Sequence, residues 1–313
     1  MNRRTIMIAM LCIGVLATLS AQPGREKAAP AATGETVAVT HELGTTNVPV
    51  DPRRILVFDL GALDILDDAS ISVTAIGRGA TLPATLSWYA DTERYPLVGS
   101  LHEPDFEMVY RQRPDLILIG TRAAPAYDEL SKIAATVMIT LPQSAYMETL
   151  ASNINIIATI FPEKRAYLSN ELAALKESIA SIREEVEQQE LTALFLMVNA
   201  SSLSVFGLKS RFALIYDDFG FTVTDAGIQS STHGQSASFE YLLQQKPDHL
   251  FVLDRSAATG SDDGVSAQQL LDNSLLRSLP TKITYVDPTS WYVASGGINA
   301  TRMMIEDIQS ALH

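Results

Sequence analysis

A motif that occurs twice limits what this 313-residue chain can fold into. Phe106-Glu107, six residues, Pro114-Asp115 and an apolar run recur as Phe239-Glu240, six residues, Pro247-Asp248 and a second apolar run. The apolar positions keep one phase: Phe106, Val109 and Tyr110 match Phe239, Leu242 and Leu243. Spacing of i, i+3, i+4 lines one face of a helix, and proline cannot continue it. Each copy therefore reads as a helix stopped by Pro and followed by a buried strand. Two such units predict two similar lobes, with a ligand site in the cleft between them.

Short apolar runs alternate with helical patterns over the rest of the chain. Candidate strands are Ile55–Phe58, Val73–Ile76, Leu116–Ile119 and Val137–Ile139, then Ala193–Val198, Leu250–Leu253 and Ile283–Val286. This alternation predicts an α/β fold with largely parallel sheets. Between the two groups, Leu168, Leu172, Leu175, Ile179, Ile182 and Val186 fall on one helical stripe, and Pro162 suits the first turn. One helix over Glu163–Glu190 would run about 40 Å and brace both lobes. The same stripe also fits the seam of a short coiled-coil dimer. The expected division is 36–161 for the first lobe, 162–190 for the connecting helix and 191–313 for the second lobe.

Arg3 and Arg4 precede an apolar run, Thr5–Leu19, that is short for a membrane span, and Ser20-Ala21-Gln22 offers a small-residue cleavage point. Residues 1–21 are read as an export signal and 22–35, small and polar, as a flexible leader. Leu11 before Cys12 disfavours a lipid anchor there, so cleavage near Ala21 would release a periplasmic protein lacking cysteine. With 36 acidic against 23 basic residues the net charge is -13, which excludes nucleic acid as the main partner. An anionic ligand would need a local cationic pocket.

Enzyme signatures are missing. Gly207-Leu208-Lys209-Ser210 lacks the glycine that a phosphate-cradling loop needs before lysine, and neither G-x-S-x-G nor H-E-x-x-H occurs. An exported serine hydrolase would have to draft Ser236 and His233. His233, in a polar loop before the second repeated helix, is either a solvated histidine or one that faces the cleft. Tyr292, beside Trp291 and ahead of Ser295-Gly296-Gly297, is either a half-buried aromatic or a cleft residue. Arg122, Arg211 and Arg255 each follow a strand-like run. Ligand crevices form at the carboxyl ends of strands, so three guanidinium forks there would suit an anion with closely spaced oxygens. Each could equally be a surface arginine paired with one of many carboxylates. Glu107 and Glu240 take equivalent first-turn positions, serving the helix dipole or a docking partner.

Together these segments resemble the helical-backbone substrate-binding proteins of ABC importers. The resemblance is closer to the ferric-siderophore branch, the catecholate-binding CeuE-like and FatB-like proteins. It is carried by Phe206–Phe212, Thr232–Ser236, Val252–Arg255 and Asp287–Gly296, and it extends over nearly the whole mature chain. It implies a class III periplasmic binding fold, two lobes joined by one long backbone helix, and no enzymatic activity. The resemblance implies that His233 and Tyr292 complete the coordination of Fe(III) held by a tetradentate siderophore. Arg122, Arg211 and Arg255 would surround the catecholate oxygens, with Trp291 beside them. Glu107 and Glu240 would meet the permease of a permease–ATPase complex. The implied protein is a monomer with no intrinsic cofactor, its iron arriving as a siderophore complex. The same fold could instead carry a hydroxamate siderophore, haem or cobalamin. Gly77–Pro83 matches the family only loosely.

Overall fold

The computed structural model describes residues 34–79, 81–140, 144–229, 231, 233–261, 265–272, 276 and 279–313. The expected signal peptide, Cys12 and all but the end of the leader lie outside them. A hairpin of β1 (Thr36–His41) and β2 (Gly44–Pro49) comes first. After it follow β3 (Ile55–Phe58), α1 (Leu60–Asp68), β4 (Ala75–Ile76), α2 (Phe106–Gln112), β5 (Leu116–Ile119), α3 (Tyr127–Ser131), β6 (Ala135–Met138) and α4 (Tyr146–Ile160). Strands β4–β3–β5–β6 form an all-parallel sheet in that order. Every residue of β3 and β5 is buried, which is why both read as unbroken apolar runs rather than alternating ones.

The second half begins with a 3-10 turn, Pro162–Lys164, and α5 (Arg165–Gln188). Then come β7 (Thr192–Asn199), β8 (Ser202–Phe206), α6 (Leu214–Asp217), β9 (Thr222–Val223), β10 (Gln235–Ala237), α7 (Phe239–Gln245), β11 (His249–Asp254), α8 (Arg255–Thr259), α9 (Ala267–Leu271), β12 (Lys282–Tyr285), α10 (Pro288–Tyr292) and α11 (Ile298–Leu312). Its sheet runs β10–β8–β7–β11–β12, with β9 also paired to β7. The pairs of β7 with β11 and β9, and of β11 with β12, are parallel, as expected, but β7–β8 and β8–β10 are antiparallel. Only residues 200 and 201 separate β7 from β8, with Ala200 at φ 53°. So short a link permits a hairpin and excludes the crossover that a parallel pair needs.

The repeated motif folds the same way twice. Asp105 caps α2 by accepting from Met108 N at 3.0 Å, and Ser238 caps α7 by accepting from Tyr241 N at 3.2 Å. Arg113 (φ 49°) and Lys246 (φ 45°) turn left-handed at the helix ends, directly before Pro114 and Pro247. The following aspartates tie neighbouring strands together. Asp115 accepts from Arg53 N and Arg54 N, just ahead of β3, and Asp248 accepts from Thr192 N, the first residue of β7. Pro stops the helix, and Asp satisfies amides that the ladder leaves open.

Helix α5 has 24 residues, about 36 Å. Leu168, Leu175, Ile179, Ile182 and Val186 are buried and Leu172 is partly buried, against α4 and α11. The stripe is thus covered within the chain rather than left open as a coiled-coil seam. One continuous apolar cluster contains Val57 and Leu118 of the first sheet, Phe195 and Phe251 of the second, and Leu168 and Ile308 of the helices. Helix α11 returns to pack on α1 and α5 as well as α10. At its start Asp64 of α1 accepts from Asn299 N at 2.7 Å and Ala300 N at 3.2 Å, capping a helix whose own N-cap, Gly297, has no side chain. A Cβ at Gly297 would come within 2.5 Å of Asp64, so glycine is required for this approach. Arg302 of α11 adds ion pairs to Asp68 and Glu171. Among the described residues, no helix is long and apolar enough to cross a membrane.

Candidate functional site

Two of the arginines stand at the carboxyl ends of parallel strands, while the third follows a strand antiparallel to its neighbours, so the expected strand-end placement does not account for it. Arg122 lies in the 3-10 turn immediately after β5, Arg255 opens α8 immediately after β11, and Arg211 follows β8. Helix α10 brings Tyr292 to them. Asp287 fixes its start by accepting from Ser290 N at 2.7 Å, with Pro288 in the first turn. The Tyr292 carbonyl oxygen accepts from Arg211 Nη2 at 2.8 Å and from Arg122 Nη2 at 3.3 Å. Its phenol oxygen accepts from Arg255 Nε at 3.0 Å, and Arg255 Nη1 donates to Asn199 Oδ1 at 2.9 Å, at the end of β7. The Arg211 guanidinium also sits 4.5 Å from the centre of the Tyr292 ring. One cation from the first half and two from the second converge on one tyrosine.

The electrostatics of the cluster favour an anion. Burial, and then the neighbouring charge of Arg122, push Arg211 down to about 10, which leaves it cationic at neutral pH. Its Nε is buried with no hydrogen-bond partner. Among the described residues no carboxylate forms an ion pair with Arg122, Arg211 or Arg255. Asp59, which follows β3 and caps α1, is buried. Burial raises its pKa, while the Ala62 amide and the charge of Arg122 draw it back. Cations held together without direct ion pairs, and partly out of water, bind an anionic partner more strongly than surface arginines can.

The other expected residues are placed as follows. Trp291 does not face the arginines. Its ring is 1% exposed, tilts against Phe195 at 5.4 Å between centroids, and donates from Nε1 to Asp307 Oδ2 at 2.8 Å. Successive helical residues point about 100° apart, so Trp291 anchors α10 in the core while Tyr292 meets the arginines. The expected ligand contact by Trp291 is therefore corrected to an anchoring role. His233 is exposed just before β10, its backbone N donating to Ser231 Oγ, and no hydrogen bond or ring contact joins it to Tyr292. Ser236 pairs with Ser204 in the β10–β8 ladder, and among the described residues no hydrogen bond joins it to His233. Glu107 and Glu240 are exposed at the second positions of α2 and α7. Glu107 pairs with Arg111 at 2.8 Å, and the Glu240 carboxyl is held below its usual range by its own amide and by Ser238. Among the described residues, no three His, Cys, Asp or Glu side chains gather into a metal-holding group.

Residues 77–283 match the model of the periplasmic binding protein family. The chain belongs to that family. It is 37% identical to the petrobactin-binding protein YclQ of Bacillus subtilis over 285 residues, 89% of each chain. The crystal structure of YclQ superposes with a TM-score of 0.84, covering 89% of this chain and 99% of that one. The structure of the periplasmic catecholate-siderophore binding protein VctP from Vibrio cholerae is 34% identical, with a TM-score of 0.82 over 88% of this chain and 100% of that one. The ferric-anguibactin-binding protein FatB of Vibrio anguillarum is 27% identical over 97% of this chain and 96% of its own length. The resemblance read from the sequence, and the expectation of a binding protein rather than an enzyme, agree with these relatives. Two members of the site went unread in the sequence. Asn199 ends β7 and Asp59 directly follows β3, each strand lying beside one that leads to an arginine, and that position was the available signal.

Proposed function

We propose that this protein binds a ferric catecholate siderophore between its two halves and delivers it to an inner-membrane ABC importer. The observation that carries the reading is the meeting of Arg122 with Arg211 and Arg255 at Tyr292, with no ion pair to a carboxylate at any of the three among the described residues. Relatives named for petrobactin, a catecholate siderophore and ferric anguibactin support the same class of cargo. Deprotonated catecholates make a ferric complex anionic, and its oxygens can take over the N–H groups now donated to the Tyr292 carbonyl. Fe(III) is hard and suits phenolate oxygen. A tetradentate chelator leaves two positions of an octahedron, which the Tyr292 phenol and the His233 imidazole would fill. Arg255, already at the phenol oxygen, would offset the phenolate charge, and His233 is exposed just before β10.

The lobes in this reading are 36–161 and 191–313, with 162–190 between them, and the mature protein is exported and monomeric. Helix α5, the returning α11 and the shared core favour a small lobe movement over wide hinge opening. Glu107 and Glu240, exposed on equivalent helices, would dock the permease. The test is quenching of intrinsic fluorescence by a ferric bis-catecholate, beside ferric hydroxamate, haem and cobalamin. Tight binding of the first alone is expected, with a charge-transfer absorption that disappears in Tyr292→Phe and weakens in His233→Ala. Preference for another cargo, or an absorption indifferent to both substitutions, refutes the assignment.

A further inference from the structure

Arg78 stands at the carboxyl edge of the first sheet with a donor to spare. It lies two residues beyond β4, held by its backbone N to Gly99 O at 3.2 Å, while Gly77 N donates to Val57 O of β3 at 2.8 Å. A Cβ at Gly77 would come within 2.3 Å of the Phe58 ring, so only glycine lets the chain settle on the end of the sheet here. Strands β3, β4 and β5 are parallel, and Asp59 and Arg122 leave the same edge from β3 and β5. Three residues past Arg78, Thr81 Oγ1 donates to Ala258 O of α8, the helix that opens with Arg255. Thr81 thus touches the second half at the helix that Arg255 opens.

The side chain is left unsatisfied. Arg78 Nε is buried with no hydrogen-bond partner, as is Arg211 Nε, and among the described residues no carboxylate pairs with Arg78. Buried donors are nearly always paired, and each exception calls for a reason. Two such donors, one on an arginine of each half, are explained together by an anion that both would meet.

We propose that Arg78 is a fourth cationic contact for the cargo, donating from its guanidinium to an anionic oxygen of the ferric complex. This rests on the cargo reading above. The experiment titrates wild type, Arg78→Ala and Arg78→Lys with a ferric bis-catecholate, and records the thermal midpoint of each unloaded protein. Loss of one charge-assisted contact should weaken Arg78→Ala about tenfold. Arg78→Lys should recover part of that, and the unloaded midpoint of Arg78→Ala should hold or rise, because an unpaired buried donor has been removed. Unchanged affinity in Arg78→Ala, or a loss of affinity accompanied by a fall in midpoint, overturns the assignment while the cargo reading stands. Failure of wild type to bind the complex overturns both.

Discussion

Replacing Asp64 with asparagine should make the stability of this protein less sensitive to pH. Asp64 lies where α1 meets the start of α11 and is fully buried. Burial above all, with the charges of Asp68 and Asp67, raises its pKa from 3.8 to about 7 against the pull of the Asn299 and Ala300 amides. A carboxyl whose folded pKa lies above its unfolded one stabilises the fold most at low pH, and that contribution is lost as pH rises toward the folded value. Each unit between the two values is about 1.4 kcal/mol. From pH 5 to pH 8 the wild type should therefore lose about 3 kcal/mol through this group alone. The Asp64→Asn side chain keeps an acceptor for one amide and never ionises, so the variant sacrifices about 1 kcal/mol of hydrogen bonding at every pH. Urea unfolding, run on both proteins at pH 5 and pH 8, isolates Asp64 because all other titrating groups are shared. The variant should be slightly weaker at pH 5 and about 2 kcal/mol stronger at pH 8. A difference between the two that does not change with pH would refute the reasoning.

Arg122→Ala and Arg211→Ala should each weaken ferric bis-catecholate binding roughly ten- to a hundredfold, the loss of a charge-assisted contact, in fluorescence titrations. Arg211→Ala should also hold or raise the thermal midpoint of the unloaded protein at low salt, since its buried charge and that of Arg122 repel; a lower midpoint would count against this. Trp291→Phe should destabilise by about 2 kcal/mol through the lost Asp307 contact, with less than about a threefold change in affinity measured calorimetrically. Glu107→Ala and Glu240→Ala should retain cargo binding and lose uptake in a reconstituted transport assay; unimpaired uptake in the double variant would end the docking proposal.

Much of the fold could be read from residues because burial on both faces leaves a plain mark. Ile55–Phe58 and Leu116–Ile119 coincide with the strands that were read, and the stripe from Leu168 to Val186 is the buried face of α5. The motif ending in Pro-Asp was legible because helix stop and strand tie each need a specific residue. The hairpin β1–β2 was not, since only Val39, His41 and Val48 of its residues are buried and no long apolar run announces it. The β7–β8 turn carries Ala200 in a left-handed conformation where glycine or asparagine would have signalled a hairpin. At the site, the ends of parallel strands pointed to Arg122 and Arg255, whereas Arg211 follows the antiparallel β8, and the convergence of all three on one tyrosine depends on how α10 seats against the second sheet. A five-residue helix is too short for sequence to phase, which is why Trp291 and Tyr292 could not be told apart as core and site.

The most direct test of the central claim is diffraction from crystals of the mature protein loaded with a ferric bis-catecholate, with the iron located by its anomalous signal. The account predicts iron bonded to the Tyr292 phenol oxygen and the His233 ring, with catecholate oxygens within hydrogen-bond reach of Arg122, Arg211 and Arg255. Iron lying apart from Tyr292, with the three guanidinium groups still donating to the tyrosine and Asn199, would contradict it.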